Sequence, residues 1–465
     1  MVVTAIDRLI ALSAALASTG AALGAPPRYL AREVPLLQHA CNPAVPGSIA
    51  PVRATALADD GRIACEANCG STIGGSKPFV ALPDGTVIEY PRGSFTFAKP
   101  VGFLPDARML LMGDTCPPLN GPCVTAIAVA APTDAAPTTL ASSPAASPYL
   151  VESQDNGWAV GWGPVVPSNA WRLRPDGTPN GTLEGLVVPK GTTATPTGIS
   201  PGGVVSGSAW IGGTQRALRW DASGVGTVLD HLAGAASSHA EAIGLDGSAY
   251  GASGGRAVWW PASSSTPIAL VPAGSPSVAL AAAGHPASAS PNGFAIFGTH
   301  INGTRLFRAT GSLQWMDVGP IDASAQFLAW SIVDAPRPDF LVATALTPLY
   351  ESVGFVWHQG DALRRLEEVV VNLPVGGAGQ LAQLVAANAM GTILVNAGPN
   401  LAPYALTRLT DGDVDGDGVV GALDLANLLD AWGPVEPTHR AAADFDGNQS
   451  VDGGDVAVLL ANWSG

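Results

Sequence analysis

The chain has 465 residues, with 22 basic and 37 acidic side chains and a formal net charge of −15 at pH 7. Because this charge repels phosphate backbones and anionic lipid headgroups, it argues against nucleic acid and anionic membranes as partners. The 56 glycines and 40 prolines, with only 13% charged residues, favour many short strands joined by tight turns over long helices. We therefore expect a mainly β protein.

Residues 1–24 have the features of a secretion signal. Arg8 precedes a short apolar run that ends in small residues, here Ala22 and Gly24. A buried amphipathic helix is the alternative interpretation. No later stretch reaches the ~20 uninterrupted apolar residues that span a bilayer, so we expect a secreted or cell-surface protein without a membrane span. Residues 25–50 are expected to be a lead segment.

Five cysteines fall in the first part of the chain: Cys41, Cys65, Cys69, Cys116 and Cys123. In an exported protein, such residues can pair as disulfides. We predict a Cys116–Cys123 bridge, because the Pro-Pro and Asn-Gly pairs between them favour a turn. The odd count leaves one cysteine unpaired. A zinc site at Cys65 and Cys69 is the alternative, although the sequence lacks a second ligand pair at zinc-ribbon spacing.

The region 51–408 contains a Gly-centred hairpin that recurs about every 45 residues, a period typical of a propeller blade. An apolar strand with an aromatic residue follows, and several copies add a further strand. Such three- or four-stranded units cannot bury their own faces, and closing them into a ring protects their edges. The turns are marked by Gly61, Gly157, Gly203, Gly247, Gly293 and Gly391, with weaker copies near Asp106 and Pro338.

We therefore predict an eight-bladed β-propeller over residues 51–408. Seven blades are the alternative if one weak copy fails. A pair of β-sandwiches or a β-solenoid, built from loosely similar hairpins, is a second alternative fold.

The repeats also resemble a known extracellular family. Their pattern is Gly/Ala-Ile-x-x-x-Gly-x-Val/Ala-x-Gly, followed by Ala-x-x-Trp, as in Ala217-Leu-Arg-Trp and more loosely in Arg256-Ala-Val-Trp. Trp220 and Trp259 end these two copies. This pattern is similar to that of the HAF repeats. The resemblance implies a propeller-like fold and no common activity.

Candidate catalytic groups are few in the repeats. Ser200 and Ser253 fall in Gly-x-Ser-x-Gly matches, but a nucleophile elbow needs a strand followed directly by a helix, and both serines lie on predicted hairpins. His239 and Glu241 come nearest to an acid–base pair. Because residues two apart on a strand share one face, we expect a structural role for them. We predict no catalytic residue in the repeats.

Two acidic segments near the C-terminus repeat each other, at 413–424 and 444–455. Both place side-chain oxygens at positions 1, 3, 5 and 12 of a twelve-residue loop, the spacing that wraps a calcium ion, while position 7 offers its backbone carbonyl. A pair of solvated Asp-Gly turns is the alternative. The expected ligands are Asp413, Asp415, Asp417, Val419 and Asp424 in the first loop, and Asp444, Asp446, Asn448, Ser450 and Asp455 in the second.

The two loops differ at position 6, where a sharp turn is needed. Gly418 supplies that turn in the first loop, and Gln449 stands there in the second. We therefore expect the second calcium site to be the weaker one. A short helix with one apolar face is predicted after each loop. The apolar residues are Leu425, Leu428, Leu429 and Trp432 in the first helix, and Val456, Leu459, Leu460 and Trp463 in the second.

A calcium loop with Asp at position 12, followed by a single helix and then repeated, resembles the dockerin module of cellulosomal and other secreted proteins. The resemblance implies that residues 409–465 form a small all-α domain that holds two calcium ions and docks into a cohesin-like partner. Positions 10 and 11, which usually carry hydroxyl groups in this family, are occupied by Ala422 and Leu423 in the first loop and by Gly453 and Gly454 in the second.

These features predict a secreted, non-catalytic binding or scaffold-associated protein, whose propeller contacts a cell-surface polymer or a protein. The alternative is a dockerin-bearing carbohydrate-active hydrolase involved in polysaccharide breakdown. An acidic cluster that lines the central face of the ring would favour the hydrolase, because glycoside cleavage needs paired carboxylates. A channel lined by apolar residues, Ser or Thr would favour the binding protein.

Overall fold

Antiparallel sheets arranged as blades around a central axis make up most of the computed structural model. The predicted secretion signal, Cys41 and Cys69 lie outside the described part of the chain. The structure describes residues 28–35, 52–68, 75–105, 107–116, 123–143, 149–153, 156–164, 169–176, 178, 180–189, 193–270, 282–283, 293–300, 303–310, 314–320, 329–337, 340–346, 352–358, 363–371, 383–397, 402–435, 443–446 and 448–464.

The first strand, β1 (Tyr29–Glu33), precedes the repeats. Seven four-stranded sheets then follow in chain order, each with its strands hydrogen-bonded in sequence. The first three sheets contain β2 (Val52–Leu57), β3 (Ile63–Asn68), β4 (Ser76–Ala81) and β5 (Val87–Glu89); β6 (Phe97–Leu104), β7 (Arg108–Thr115), β8 (Val124–Ala130) and β9 (Thr138–Ser143); and β10 (Tyr149–Ser153), β11 (Ala159–Trp162), β12 (Ala170–Arg174) and β13 (Thr182–Gly185).

The next four blades repeat this order. They contain β14 (Ala194–Ile199), β15 (Val205–Ile211), β16 (Thr214–Trp220) and β17 (Gly226–Val228); β18 (Ser238–Ile243), β19 (Ala249–Ser253), β20 (Arg256–Trp260) and β21 (Ile268–Ala269); β22 (Ala282–Ala283), β23 (Gly293–His300), β24 (Gly303–Thr310) and β25 (Gln314–Pro320); and β26 (Ala329–Arg337), β27 (Phe340–Leu346), β28 (Ser352–His358) and β29 (Arg364–Arg365).

A five-stranded sheet joins the two ends of the ring. After the short helix α1 (Leu366–Val369) it contains β30 (Val370–Val371), β31 (Gln383–Ala387), β32 (Ile393–Ala397) and β33 (Ala402–Arg408), with β1 inserted between β30 and β33. Strand β1 pairs antiparallel with β33, from Tyr29 opposite Arg408 to Glu33 opposite Tyr404. The expected lead segment 25–50 thus supplies a strand of the closing sheet.

The predicted propeller is confirmed. Seven of its sheets are blades of four consecutive strands, so the alternative count of seven blades is confirmed and the first count of eight is wrong. The five-stranded closing sheet lies between the first and the seventh blade, and its inner residues pack against both. Leu394 belongs to one core with Val52 and Ala54 of the first blade, and Ile393 belongs to another with Phe340 of the seventh blade. Closure leaves neither end of the stack with an open face.

Five of the glycines that mark the repeat lie in the turn between two consecutive strands of their sheets. Gly61, Gly157, Gly203, Gly247 and Gly391 all have φ between 77° and 97°, a region that residues with a Cβ rarely occupy. In the second blade, Ala107 adopts this conformation with φ of 57°. The turn glycines were therefore predictable from sequence, and Ala107 explains why the copy near Asp106 is weak.

Aromatic residues of the third strands fill the spaces between blades. Trp171, Trp220 and Trp260 are fully buried. The indole N–H of Trp220 donates to the carbonyl of Val187 at 2.9 Å, and that of Trp260 donates to the carbonyl of Asp230 at 2.8 Å. These two rings therefore bury their surface without losing a hydrogen bond. The residue equivalent to Trp220 is Trp260 and not Trp259, because Trp220 pairs with Val205 and Trp260 with the corresponding Ala249.

Two arginine side chains, the buried Arg172 and the half-buried Arg219, connect successive blades. Arg172 of the third blade is 1% exposed and donates to the carbonyls of Gly203, Asp221 and Ala222, which lie in turns of the fourth blade. Arg219 of the fourth blade reaches the carbonyl of Pro261 in the fifth at 2.7 Å. The fixed fork of the guanidinium group can satisfy several carbonyls at once. These contacts fix the separation between neighbouring turns.

The predicted disulfide is confirmed. Cys116 and Cys123 are bonded across the hairpin between β7 and β8. Cys65 is a free, fully buried thiol that packs with Phe79 and Val52 in an apolar core, and burial raises the pKa of this thiol. These surroundings give Cys65 a packing role.

The C-terminal module contains α2 (Ala422–Asp430), β34 (Gly433–Pro434), β35 (Ser450–Val451) and α3 (Gly453–Ala461). Its core is formed by Leu428, Leu459, Phe445 and the valines around them. The apolar residues predicted to follow each loop are only partly buried. Four of the eight are between 39% and 54% exposed: Leu429, Trp432, Leu460 and Trp463.

The burial of the loop carboxylates explains this difference. Asp424 and Asp455 occupy the first turn of their helices and are at most 2% exposed. Leu428 and Leu459 follow four residues later on the same stripe and are also buried. The inward face of each helix is therefore centred on the position-12 carboxylate. The leucines that follow the buried ones, Leu429 and Leu460, consequently face solvent.

No helix among the described residues is long and apolar enough to cross a membrane.

We expect replacement of Gly203 by Ala to destabilise the propeller. The left-handed backbone costs a residue with a Cβ roughly 1–2 kcal/mol, and the new Cβ would lie 2.5 Å from the Trp158 ring. Gly213 is the matched control, because its φ is 83° and nothing lies within 4 Å of an added Cβ. The thermal unfolding midpoint should fall further for Gly203→Ala than for Gly213→Ala. Equal shifts would contradict the packing role of Trp158.

Candidate metal centre

The first acidic loop brings together carboxylates from its two ends. Asp413, Asp415 and Asp424 each place one carboxylate oxygen within 4.8 Å of the others. Asp424 Oδ1 accepts hydrogen bonds from the backbone N–H of Val414 at 2.7 Å and of Asp415 at 3.3 Å. The carboxylate in the first turn of α2 therefore holds the start of the loop in place.

The second loop repeats this arrangement. Asp444, Asp446 and Asp455 form a second group within 4.8 Å. Asp455 Oδ1 accepts from the N–H of Phe445 and of Asp446, the counterparts of Val414 and Asp415. Two separate stretches of chain thus fold into the same ligand geometry.

Position 5 contributes to loop shape. The N–H of Asp417 donates to Asp415 at 3.1 Å, and Asp417 accepts from Val419 at 2.7 Å. In the second loop, Asn448 donates to Asp446 at 3.0 Å and accepts from Ser450 at 2.8 Å. These bonds curl both loops around their three grouped carboxylates. Asp417 and Asn448 are exposed, and Val419 and Ser450 follow them at position 7.

The grouped carboxylates are costly to bury as anions. Asp413 and Asp424 are each 2% exposed, and Asp455 is fully buried. Burial raises the pKa of Asp413 and of Asp455, against backbone N–H groups that lower it. No lysine or arginine among the described residues forms an ion pair with these three groups. A bound cation would compensate the buried negative charge.

The donor set fits calcium. Carboxylate and carbonyl oxygens are hard ligands, and calcium accepts 6–8 of them in a flexible geometry. Lysine, histidine and thiol groups, which suit other chemistry or other metals, are absent from positions 1, 3, 5, 7 and 12. In each loop the three grouped aspartates would hold the ion, with position 5 and the position-7 carbonyl completing the set.

The turn at position 6 differs between the loops in the predicted way. Gly418 has φ of 87°, and Gln449 has φ of 69° in the second loop. Both residues adopt the left-handed conformation, which is unstrained only for glycine. The backbone of the second loop therefore carries a cost that the first loop does not.

The other sequence candidates have structural roles. Ser200 Oγ accepts from the N–H of Val204 at 3.2 Å, and Ser253 Oγ accepts from Leu232 at 2.9 Å. Both side chains are 1% exposed. His239 Nε2 lies 3.1 Å from Glu241 Oε1 on the innermost strand of the fifth blade, and burial lowers the pKa of the histidine and raises that of the glutamate.

Residues 411–462 match the family model of the dockerin type I domain. The C-terminal module is a dockerin type I domain. Domains of this family bind calcium, and the two acidic groups of the dockerin domain are compatible with that property. The match covers this module alone and leaves the propeller unassigned. No curated protein matches the chain.

Several solved structures are similar to this chain. Virginiamycin B lyase from Staphylococcus aureus is 11% identical, with a TM-score of 0.41, over 83% of this chain and 100% of that chain. The β-propeller domain of the Trilobed protease from Pyrococcus furiosus is 10% identical, with a TM-score of 0.38, over 68% and 96%. Oligopeptidase B from Leishmania major is 9% identical, with a TM-score of 0.44, over 78% and 54%. Likeness this low carries no argument about activity.

We expect Gln449→Gly to tighten calcium binding at the second loop. Glycine removes the left-handed strain at position 6, which should lower the free energy of the folded loop by about 1 kcal/mol. Isothermal titration calorimetry of the full chain should show the weaker of two sites gaining affinity. The reciprocal variant Gly418→Gln should weaken the tighter site. An unchanged weaker site in Gln449→Gly would contradict the assigned asymmetry.

Proposed function

We propose that this chain is a secreted, non-catalytic binding protein whose dockerin domain holds two calcium ions and attaches the propeller to an extracellular assembly. The observation that carries the proposal is the duplicated loop. Two groups of three carboxylates, with matching backbone hydrogen bonds, lie in the module that matches the dockerin family. The tighter site is the first loop, and the second is the weaker.

The proposed ligands follow the loop positions. The first ion is held by Asp413, Asp415, Asp417 and Asp424 with the Val419 carbonyl. The second is held by Asp444, Asp446, Asn448 and Asp455 with the Ser450 carbonyl. Closing each loop on an ion brings its position-12 carboxylate, and hence the following helix, into a fixed relation with the loop start.

The exposed apolar residues of the dockerin domain are its proposed docking surface. Dockerin domains bind cohesins in general. Leu423 is 61% exposed, and Leu429 and Trp432 are each 54% exposed. Neither helix carries a lysine or an arginine. We infer a cohesin-like partner that presents apolar surface, because large exposed side chains of this kind form the energetic centre of protein interfaces.

The inner strands of the propeller favour binding over catalysis. Seven of the described ones have an extra residue that interrupts their pairing with the second strand, and the seven residues are Thr55, Val101, Val151, Thr197, Glu241, Val333 and Val385. Such bulges re-aim side chains at the rim of a sheet. Glu241 is the one carboxylate in this set. A glycoside hydrolase needs two facing carboxylates, and the mostly Thr and Val set supports a binding surface for a polymer or a protein.

We expect Asp413→Ala to abolish calcium binding at the first loop, because it removes a buried ligand at position 1. The number of calcium sites that calorimetry detects on the full chain should fall from two to one. Asp411→Ala is the matched control, since Asp411 is exposed and precedes the loop. If Asp413→Ala binds calcium as the unaltered chain does, the ligand assignment is wrong.

The attachment role predicts calcium-dependent capture by a type I cohesin module. Capture should be lost when calcium is chelated and should weaken at least ~10-fold in Leu423→Asp, as expected for an interface anchor. Met390→Asp is the matched control and should leave capture unchanged, because Met390 is also 61% exposed but lies in the propeller. Absence of capture by every cohesin module in a panel would contradict the attachment. Release of sugars from a polysaccharide panel would favour the hydrolase instead.

A further inference from the structure

The strand that closes the propeller also contacts the dockerin domain. Strand β1 lies between β30 and β33, so it is an integral strand of the closing sheet. Tyr29 is fully buried, and its hydroxyl contacts His358 Nε2 in the seventh blade. The N-terminal strand therefore secures the ring by backbone pairing and by a buried side chain.

Contacts with the first calcium loop come from the other residues of this strand. Arg32 donates a hydrogen bond through its guanidinium group to the carbonyl of Gly416, at position 4 of the loop. Leu30 is 9% exposed and packs against Leu409. A Cβ on Gly416 would collide with Leu30 Cδ2 and would approach Arg32. The loop and the strand meet as closely as a glycine permits.

Arg28, the residue before β1, contacts the second loop. The Arg28 guanidinium carbon lies 4.3 Å from the centroid of the Phe445 ring, at position 2 of that loop. Arg28 is only 2% exposed, and its carbonyl accepts from the N–H of Leu409 at 2.8 Å. A cation over an aromatic face is a favourable contact when it is shielded from water. Both loops therefore touch one short segment of chain.

We propose that the dockerin domain is a calcium-dependent latch for the propeller, in addition to its docking role. Calcium fixes the two loops, the loops hold residues 28–32, and these residues keep β1 in the closing sheet. This proposal rests on the proposed calcium binding. Because linkage is reciprocal, β1 in its paired position must also raise the calcium affinity of the loops.

Two glycines of the first loop provide a matched test. Gly416 and Gly418 have φ of 74° and 87°, so alanine strains the loop at either position. A Cβ at Gly416 meets Leu30 and Arg32, and a Cβ at Gly418 meets nothing within 4 Å. Gly416→Ala thus perturbs the loop and the strand contact together, and Gly418→Ala perturbs the loop alone.

The decisive measurement is hydrogen–deuterium exchange of residues 29–33 in the full chain, with calcium and with chelator. We expect calcium to slow the exchange of this peptide at least ~5-fold, because a 5-fold effect is the lower end of the range typical of coupling between two sites. At saturating calcium, Arg32→Ala and Gly416→Ala should lose most of that protection. Gly418→Ala should retain it, as should Glu33→Ala, which alters an exposed residue of the same strand.

Calorimetry on the same samples separates the two proposals. Absence of calcium binding to the unaltered chain would overturn the proposed function. Calcium binding with unchanged exchange in residues 29–33 would overturn the latch alone. Arg32→Ala should also lower calcium affinity at the first loop at least ~5-fold, because the coupling is reciprocal. Equal loss of protection in Gly416→Ala and Gly418→Ala would assign the effect to loop strain and contradict the latch.

Discussion

Mutual repulsion between buried carboxylates is the constraint on which the C-terminal module depends. Asp413, Asp415 and Asp424 bring oxygens within 4.8 Å of one another, and two of these residues are almost fully buried. Like charges at that separation are costly unless a cation lies between them. The same arrangement in the second loop means that the whole module is organised around two positions of unbalanced negative charge.

The acidic loops also contact the larger domain, through strand β1. A propeller is stable only when its first and last sheets meet, because an open stack leaves apolar faces and strand edges in water. In this chain the meeting is made by β1, whose partners in β33 lie at the other end of the repeats. The dockerin domain begins directly after β33, so its loops fold against the strand that closes the ring. The closing sheet and the dockerin domain therefore share contacts with a single segment of chain.

Local signals made much of the structure predictable. The turn glycines could be identified because a left-handed turn residue recurs in most of the described blades, and the two acidic loops could be identified because the spacing of their carboxylates is a property of consecutive residues. The Cys116–Cys123 bridge spans one hairpin. Each of these features is determined by residues close together in the chain.

Features that depend on distant residues could not be predicted in this way. The position of β1 has no local signature, because five apolar and charged residues of this kind also suit a loop. The choice of Trp260 over Trp259 depends on strand register. The contacts of Arg172 depend on the separation of two blades, and the outward rotation of Leu429 and Leu460 depends on the burial of a carboxylate one turn earlier. Tertiary packing decides all four.

Native mass spectrometry of the intact chain tests most directly whether each acidic loop holds one calcium ion. We expect a species with two calcium ions per chain at saturation, a one-ion species at intermediate calcium concentrations, and loss of both ions with a chelator. A chain that carries no specifically bound calcium at saturation would contradict this expectation.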